Sequence, residues 1–201
     1  MSEDAIECTV KSLQWIYAVV LALSIGEAFK EFMSNADHRN GKYVIQWDRL
    51  PPLLSLLLLV LPFYHGMARW LYDMYCTDQV HGAYGHWLLV DCVTFTVEAG
   101  LFFVLARSLD RSLWWRFNCT VAVLLAVDIV WGAFMWGCRS SSIDSWVIVN
   151  VCTVAILMAA LFVFRKRKGE TSLSILSLFL VVILVRTILD YWTGWDYYFP
   201  K

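Results

Sequence analysis

The chain has 201 residues, of which 60% are hydrophobic and 16% charged, against an apolar share of about 45 to 50% in soluble domains. A soluble core of that size cannot hide such a surplus. The formal net charge of −1 is uninformative about partners, and with no basic run interleaved with aromatics no nucleic-acid partner is expected. The expectation is a lipid-facing, all-α, polytopic integral membrane protein: one domain over residues 1–201, six transmembrane helices, and connections too short for a second domain.

The first span is expected from about Leu13 to Met33, behind an acidic start (Glu3, Asp4, Glu7) that lacks the cationic leader of a signal peptide and so stays attached. It carries Glu27, Lys30 and Glu31, the last two close enough to its end to reach the interface. The second runs from Leu50 to Tyr75, with Pro51 and Pro52 in its first turn, where a missing N–H has no consequence. Pro62 is expected to bend it and to free a backbone carbonyl that then needs another partner. His65, Arg69 and Asp73 follow at i, i+4, i+8, on one helical face.

A third span over Tyr84 to Leu109 places Asp91 and Glu98 seven residues apart on one face, Glu98 near mid-membrane. The fourth, Leu113 to Trp136, holds Asp128 at depth. The fifth, Ile143 to Phe164, is free of charge except at its start and looks the most lipid-exposed; its Asn150 is expected to bond between helices. In the sixth, Ser172 to Trp192, Arg186 and Asp190 repeat the Arg-x-x-x-Asp spacing of the second, "VRTILDYW" beside "ARWLYDMY". Each Arg is expected to pair with its own Asp. Trp15, Tyr17, Trp87, Trp114, Trp115, Trp146, Trp192, Trp195, Tyr197 and Tyr198 fall near span ends and fit interfacial belts.

Ten basic residues lie on one side of these spans: Arg39, Lys42, Arg49, Arg107, Arg111, Arg116, Arg165, Lys166, Arg167 and Lys168. Three lie on the other: Lys11, Arg139 and Lys201. That bias is expected to set the more basic connections in the cytoplasm and both termini outside; the expected location is the plasma (inner) membrane. Cys76 and Cys138 would then sit near the outer ends of spans two and four, where a disulfide is permitted, but small apolar fillers are the simpler role; Cys92, Cys119 and Cys152 are expected to be buried within helices. His81 and His86, near Asp78 and Asp91, lack a recognised metal spacing, so neither a metal nor a cofactor is expected.

A charged side chain at a span centre costs roughly 2.5 to 3.5 kcal/mol on insertion scales, so these residues are expected to turn inward. Glu27, Asp91, Glu98 and Asp128 have no obvious cation on their own helix at the same depth. Acid therefore exceeds base in the interior, and some carboxyls should hold a proton or a cation. The leading functional expectation is a small transporter or channel for protons, small cations or a cationic solute. Glu98 and Asp128 would be its carriers, Asp91 an outer relay, Glu27 the cytoplasmic exit and His65 a titrating group; Arg69, Asp73, Arg186 and Asp190 complete the polar core. The expected partners are the bilayer and a small ion or molecule, and a homo-oligomer suits so short a chain. Two alternatives stand beside this: an intramembrane enzyme acting on a lipid or isoprenoid through His65 with Asp73 or Asp91, and a sensor or assembly subunit that docks a partner protein. The usual hydrolase and nucleotide-binding motifs are absent.

Overall fold

A computed structural model describes residues 3–33, 44–76, 86–135, 142–167 and 172–200; for residues 3–5, 86, 142–144 and 167 it describes the backbone alone. The described residues are all-helical, with no strand. The long helices are α1 (Glu3–Phe32), α2 (Leu50–Tyr75), α3 (His86–Ala106), α4 (Trp114–Met135), α5 (Ser142–Phe164) and α6 (Leu173–Thr193), followed by the four-residue α7 (Trp195–Tyr198). Among the described residues, six helices are long and apolar enough to cross a membrane. Arg39, Lys42, Lys168, Lys201, Arg139, His81, Asp78 and Cys138 lie outside the described residues, as do the side chains of His86 and Arg167. The proposed Cys76–Cys138 pairing falls there too.

Packing closes the helices into a ring in the order α1, α3, α4, α5, α6, α2, with α2 also touching α3 across it. Each helix offers one buried stripe at helical spacing. On α1 it is Val10, Tyr17, Leu21, Ser24 and Ala28; on α3 it is Leu88, Asp91, Phe95, Glu98, Phe102 and Leu105. The opposite faces are apolar as well: Ile16, Leu61, Val130, Phe162, Val163 and Ile188 are all more than half exposed. A helix apolar on both faces suits lipid outside and protein inside. Gly132 sets the α4–α5 approach, because a Cβ there would lie 2.5 Å from the Trp146 ring and 2.9 Å from Val147.

Pro62 behaves as its chemistry requires. Without an amide hydrogen it leaves the carbonyl four residues back unpaired, and the Thr187 hydroxyl of α6 donates to that Leu58 oxygen at 3.1 Å. A break in one helix thus becomes a tie between two.

Three expectations need correcting. The least buried span is α1, not α5, although each packs against two neighbouring long helices of the ring. Cys152 is exposed and Cys92 and Cys119 are half-buried, since each lies toward the outer side of its helix. Of the aromatics assigned to interfacial belts, Trp15, Trp192 and Trp195 are exposed, but Tyr17, Trp114 and Tyr198 are buried and belong to the core.

Candidate functional site: a carboxylate cavity within the ring

The two ends of the ring are built differently. Toward the end where α1, α3 and α5 finish, the interior is filled by Leu56, Leu59, Phe102, Leu105, Leu124, Leu125, Leu157 and Ile183, none of them more than marginally accessible. Arg49 fastens that end: its guanidinium donates to the Glu31 carbonyl at 2.6 Å and to the Asp110 carboxylate at 2.6 Å, with the Glu31 carboxylate at 3.3 Å. These contacts join α1, α2 and the α3–α4 turn. Ser112 donates to Asp110 through both its backbone N–H and its hydroxyl, and with Arg49 this holds the Asp110 carboxyl below the usual carboxylate range.

In the other half the ring encloses a cavity of about 50 Å³. Glu98, Asp128, Arg186 and Asp190 line it, together with Phe63, Trp70, Phe95, Trp131, Trp146 and Tyr198. By volume it has room for a few water molecules. One hydrogen-bonded chain spans its wall. Asn150 donates to Asp128 at 2.6 Å and accepts from Arg186 at 2.9 Å; Arg186 lies 3.2 Å from Asp190, which receives the Tyr198 hydroxyl at 3.3 Å. The Arg186 guanidinium also rests 5.4 Å from the Phe63 ring centre. Asn150 is thus the interhelical bonder expected from its position, here joining α4 to α6.

Glu98 is different. It is 1% exposed, it faces the cavity, and its Oε1 has no hydrogen-bond partner. The nearby Tyr17 hydroxyl is likewise buried without a partner. One cation, Arg186, therefore serves a cavity with three carboxyls, and it is already engaged by Asp190 and, through Asn150, by Asp128.

Asp91, two helical turns from Glu98, has the opposite environment. Trp70 and Tyr75 donate to its Oδ2 at 2.9 and 2.8 Å, and Trp131 donates to its Oδ1 at 2.8 Å. With no exposure and three neutral donors, Asp91 locks the indoles that wall the cavity. Those rings interlock further: Trp70 and Trp131 meet edge to face at 4.9 Å, and Trp131 stacks on Trp146 at 5.8 Å. Neither Trp70 nor Trp131 was singled out in the sequence. The available signal for Trp131 was its position three residues after Asp128, on the same helical face; for Trp70, on a helix without an inward acid, there was none.

The structure thus brings Glu98, Asp128, Arg186 and Asp190 together and sets the remaining candidates apart. Arg69 and Asp73 pair at 3.1 Å on α2 with a fifth to a quarter of each side chain accessible, and they do not line the cavity. His65 sits among the rings of Tyr191, Tyr198 and Phe199, 5.0 to 6.0 Å between centres. Glu27 lies at the opposite end, 3.2 Å from Lys30 and 3.9 Å from Arg107. Among the described residues, no group of three or more His, Cys, Asp or Glu is placed to hold a metal ion. No family model, curated protein or solved structure matches this chain, so the chemistry of the site alone carries the functional reading.

Proposed function

We propose that the chain is a small membrane transporter that takes a proton, a small cation or a cationic solute into the carboxylate cavity. Glu98 carries this reading: a carboxyl 1% exposed, facing a void, with an unpartnered oxygen. Burying an ionised carboxylate without a partner costs several kcal/mol, so such a group holds a proton or draws in a positive charge. Asp128 and Asp190 steady Arg186, the one cation that lines the cavity among the described residues, and leave Glu98 without it.

A gated carrier fits better than an open channel. The cavity ends on leucine and phenylalanine side chains, and beyond them Arg49 ties the far end shut. Passage would require that clasp to open while the mouth near α7 closes, the rocking expected of alternating access. An orientation with the Arg49 end in the cytoplasm, both termini outside, and a location in the plasma (inner) membrane belong to the same proposal. His65 in its aromatic contacts and Asp91 in its cage add nothing to the enzymatic alternative.

Reconstituted vesicles test the proposal. Under an imposed proton or cation gradient the wild type is expected to conduct, and Glu98→Gln and Asp128→Asn to reduce flux at least about tenfold. Unchanged flux in both variants, or none in the wild type, ends the reading.

A further inference from the structure

We propose that the occupant of the cavity is a small organic ammonium carrying at least one N–H, bonded to Glu98 Oε1 and packed against the aromatic wall. This deepens the reading of the cavity as a cation site and rests on it.

Three observations narrow the class. First, two carboxylate oxygens on the cavity, Glu98 Oε1 and Asp190 Oδ1, are buried without a hydrogen bond; Asp190 already has Arg186 beside it, so Glu98 Oε1 is the one that calls for a donor bringing positive charge. Second, a hard metal cation would find few free oxygens: besides Glu98 Oε1, the buried oxygen without a hydrogen bond is Asp190 Oδ1, on a carboxylate that already faces Arg186 at 3.2 Å. Asp128 Oδ2 takes Asn150, Asp190 Oδ2 takes Tyr198 and faces Arg186, and both Asp91 oxygens take indole or phenol donors. A calcium-type site wants six or more oxygens, whereas here the rest of the wall is largely aromatic, which attracts a soft, weakly hydrated cation. Arg186 over Phe63 already shows a nitrogen cation resting on a ring of this cavity.

Third, size limits the head group. The void of about 50 Å³ is roughly one third of the ~150 Å³ cavity known to accept six-carbon benzene, so it suits a head group of about two or three heavy atoms. A proton alone would need neither the void nor the rings.

The test is calorimetric titration of the purified full chain in detergent micelles at fixed ionic strength, with dimethylammonium, tetramethylammonium and sodium chlorides. Dimethylammonium is expected to fill one saturable site. Tetramethylammonium, larger and without an N–H, should bind at least about tenfold more weakly, and sodium should give no saturable heat. Glu98→Gln should weaken dimethylammonium by about tenfold or more, while Asp73→Asn, away from the cavity, retains it. If Glu98→Gln does not fold, the order among the three cations on the wild type still decides.

No saturable dimethylammonium binding, equal binding of sodium, or undiminished binding in a folded Glu98→Gln overturns the inference. Absence of ammonium binding together with Glu98-dependent proton or sodium flux rejects the ligand class and leaves the transport reading standing. Binding without flux does the reverse.

Discussion

Asp91 and Glu98 lie on one face of one helix, both at 1% exposure or less, yet one accepts three hydrogen bonds and the other has an oxygen with none. Burial and residue type therefore do not tell these two carboxyls apart. Donor count does. Trp70, Tyr75 and Trp131 make Asp91 part of the wall, whereas Glu98 turns an oxygen without a donor toward the cavity, the contrast on which the proposed binding role rests.

The largest expected effect comes from breaking the cage. Asp91→Ala strands two indole N–H groups and a phenol at once and is expected to cost about 3 to 5 kcal/mol of stability, measured by chemical unfolding in mixed micelles. A loss below about 1 kcal/mol would mean that the three donors find other partners and that the cage is not structural.

The two Arg-x-x-x-Asp pairs extend the contrast to α2 and α6. Their spacing is identical and their separations are 3.1 and 3.2 Å, but the α6 pair is nearly inaccessible and the α2 pair is about a quarter exposed. Arg186→Met leaves Asp190 and Asn150 without their cation and is expected to cost about 3 kcal/mol. Arg69→Met should cost below about 1 kcal/mol in the same assay. Equal effects would show that the pairs are equivalent and that the cavity confers nothing on Arg186.

Thr187→Val removes the donor to the Leu58 carbonyl freed by Pro62 and should lower stability by about 1 kcal/mol. Restoring the Pro62 amide with Pro62→Ala in the same background should recover most of that loss, because the carbonyl regains its helical partner.

The smallest effect belongs to an exposed carboxyl. Asp110, held below the usual carboxylate range chiefly by Ser112, stabilises the fold above the ordinary Asp range near pH ~4 and loses that contribution as pH falls through its lowered value. The gap in thermal midpoint between wild type and Asp110→Asn should therefore be constant from neutral pH to about pH 5 and shrink below about pH 4. A gap that widens on acidification would contradict the assignment.

Much of the architecture was legible because lipid demands long apolar runs. The expected limits of α2 match the observed helix, and those of α3 to α6 differ from it by at most three residues. The inward faces of Asp91, Glu98, Asp128, Arg186 and Asp190 followed from the cost of charge in hydrocarbon. The division of roles between Asp91 and Glu98 could not be read that way. It depends on Trp70 in α2 and Trp131 in α4 reaching the same carboxylate, a meeting across 40 residues that periodicity within single helices does not encode. His65, Arg69 and Asp73 misled for a related reason: a stack along one helix says nothing about which neighbour it faces, and α2 turns its Phe63, Met67 and Trp70 stripe inward instead. Tyr198 was assigned to the interface because it follows the last span, but α7 folds back and its hydroxyl reaches Asp190.

The most direct measurement is a paired one on isosteric variants, Asp91→Asn and Glu98→Gln, unfolded side by side in the same micelles. Asp91→Asn sets an amide N–H against indole or phenol donors and should be destabilised by at least about 2 kcal/mol, while Glu98→Gln should match the wild type or exceed it by about 1 kcal/mol. Equal destabilisation of the two would show that Glu98 is held as firmly as Asp91, and the proposed function would lose the observation that supports it.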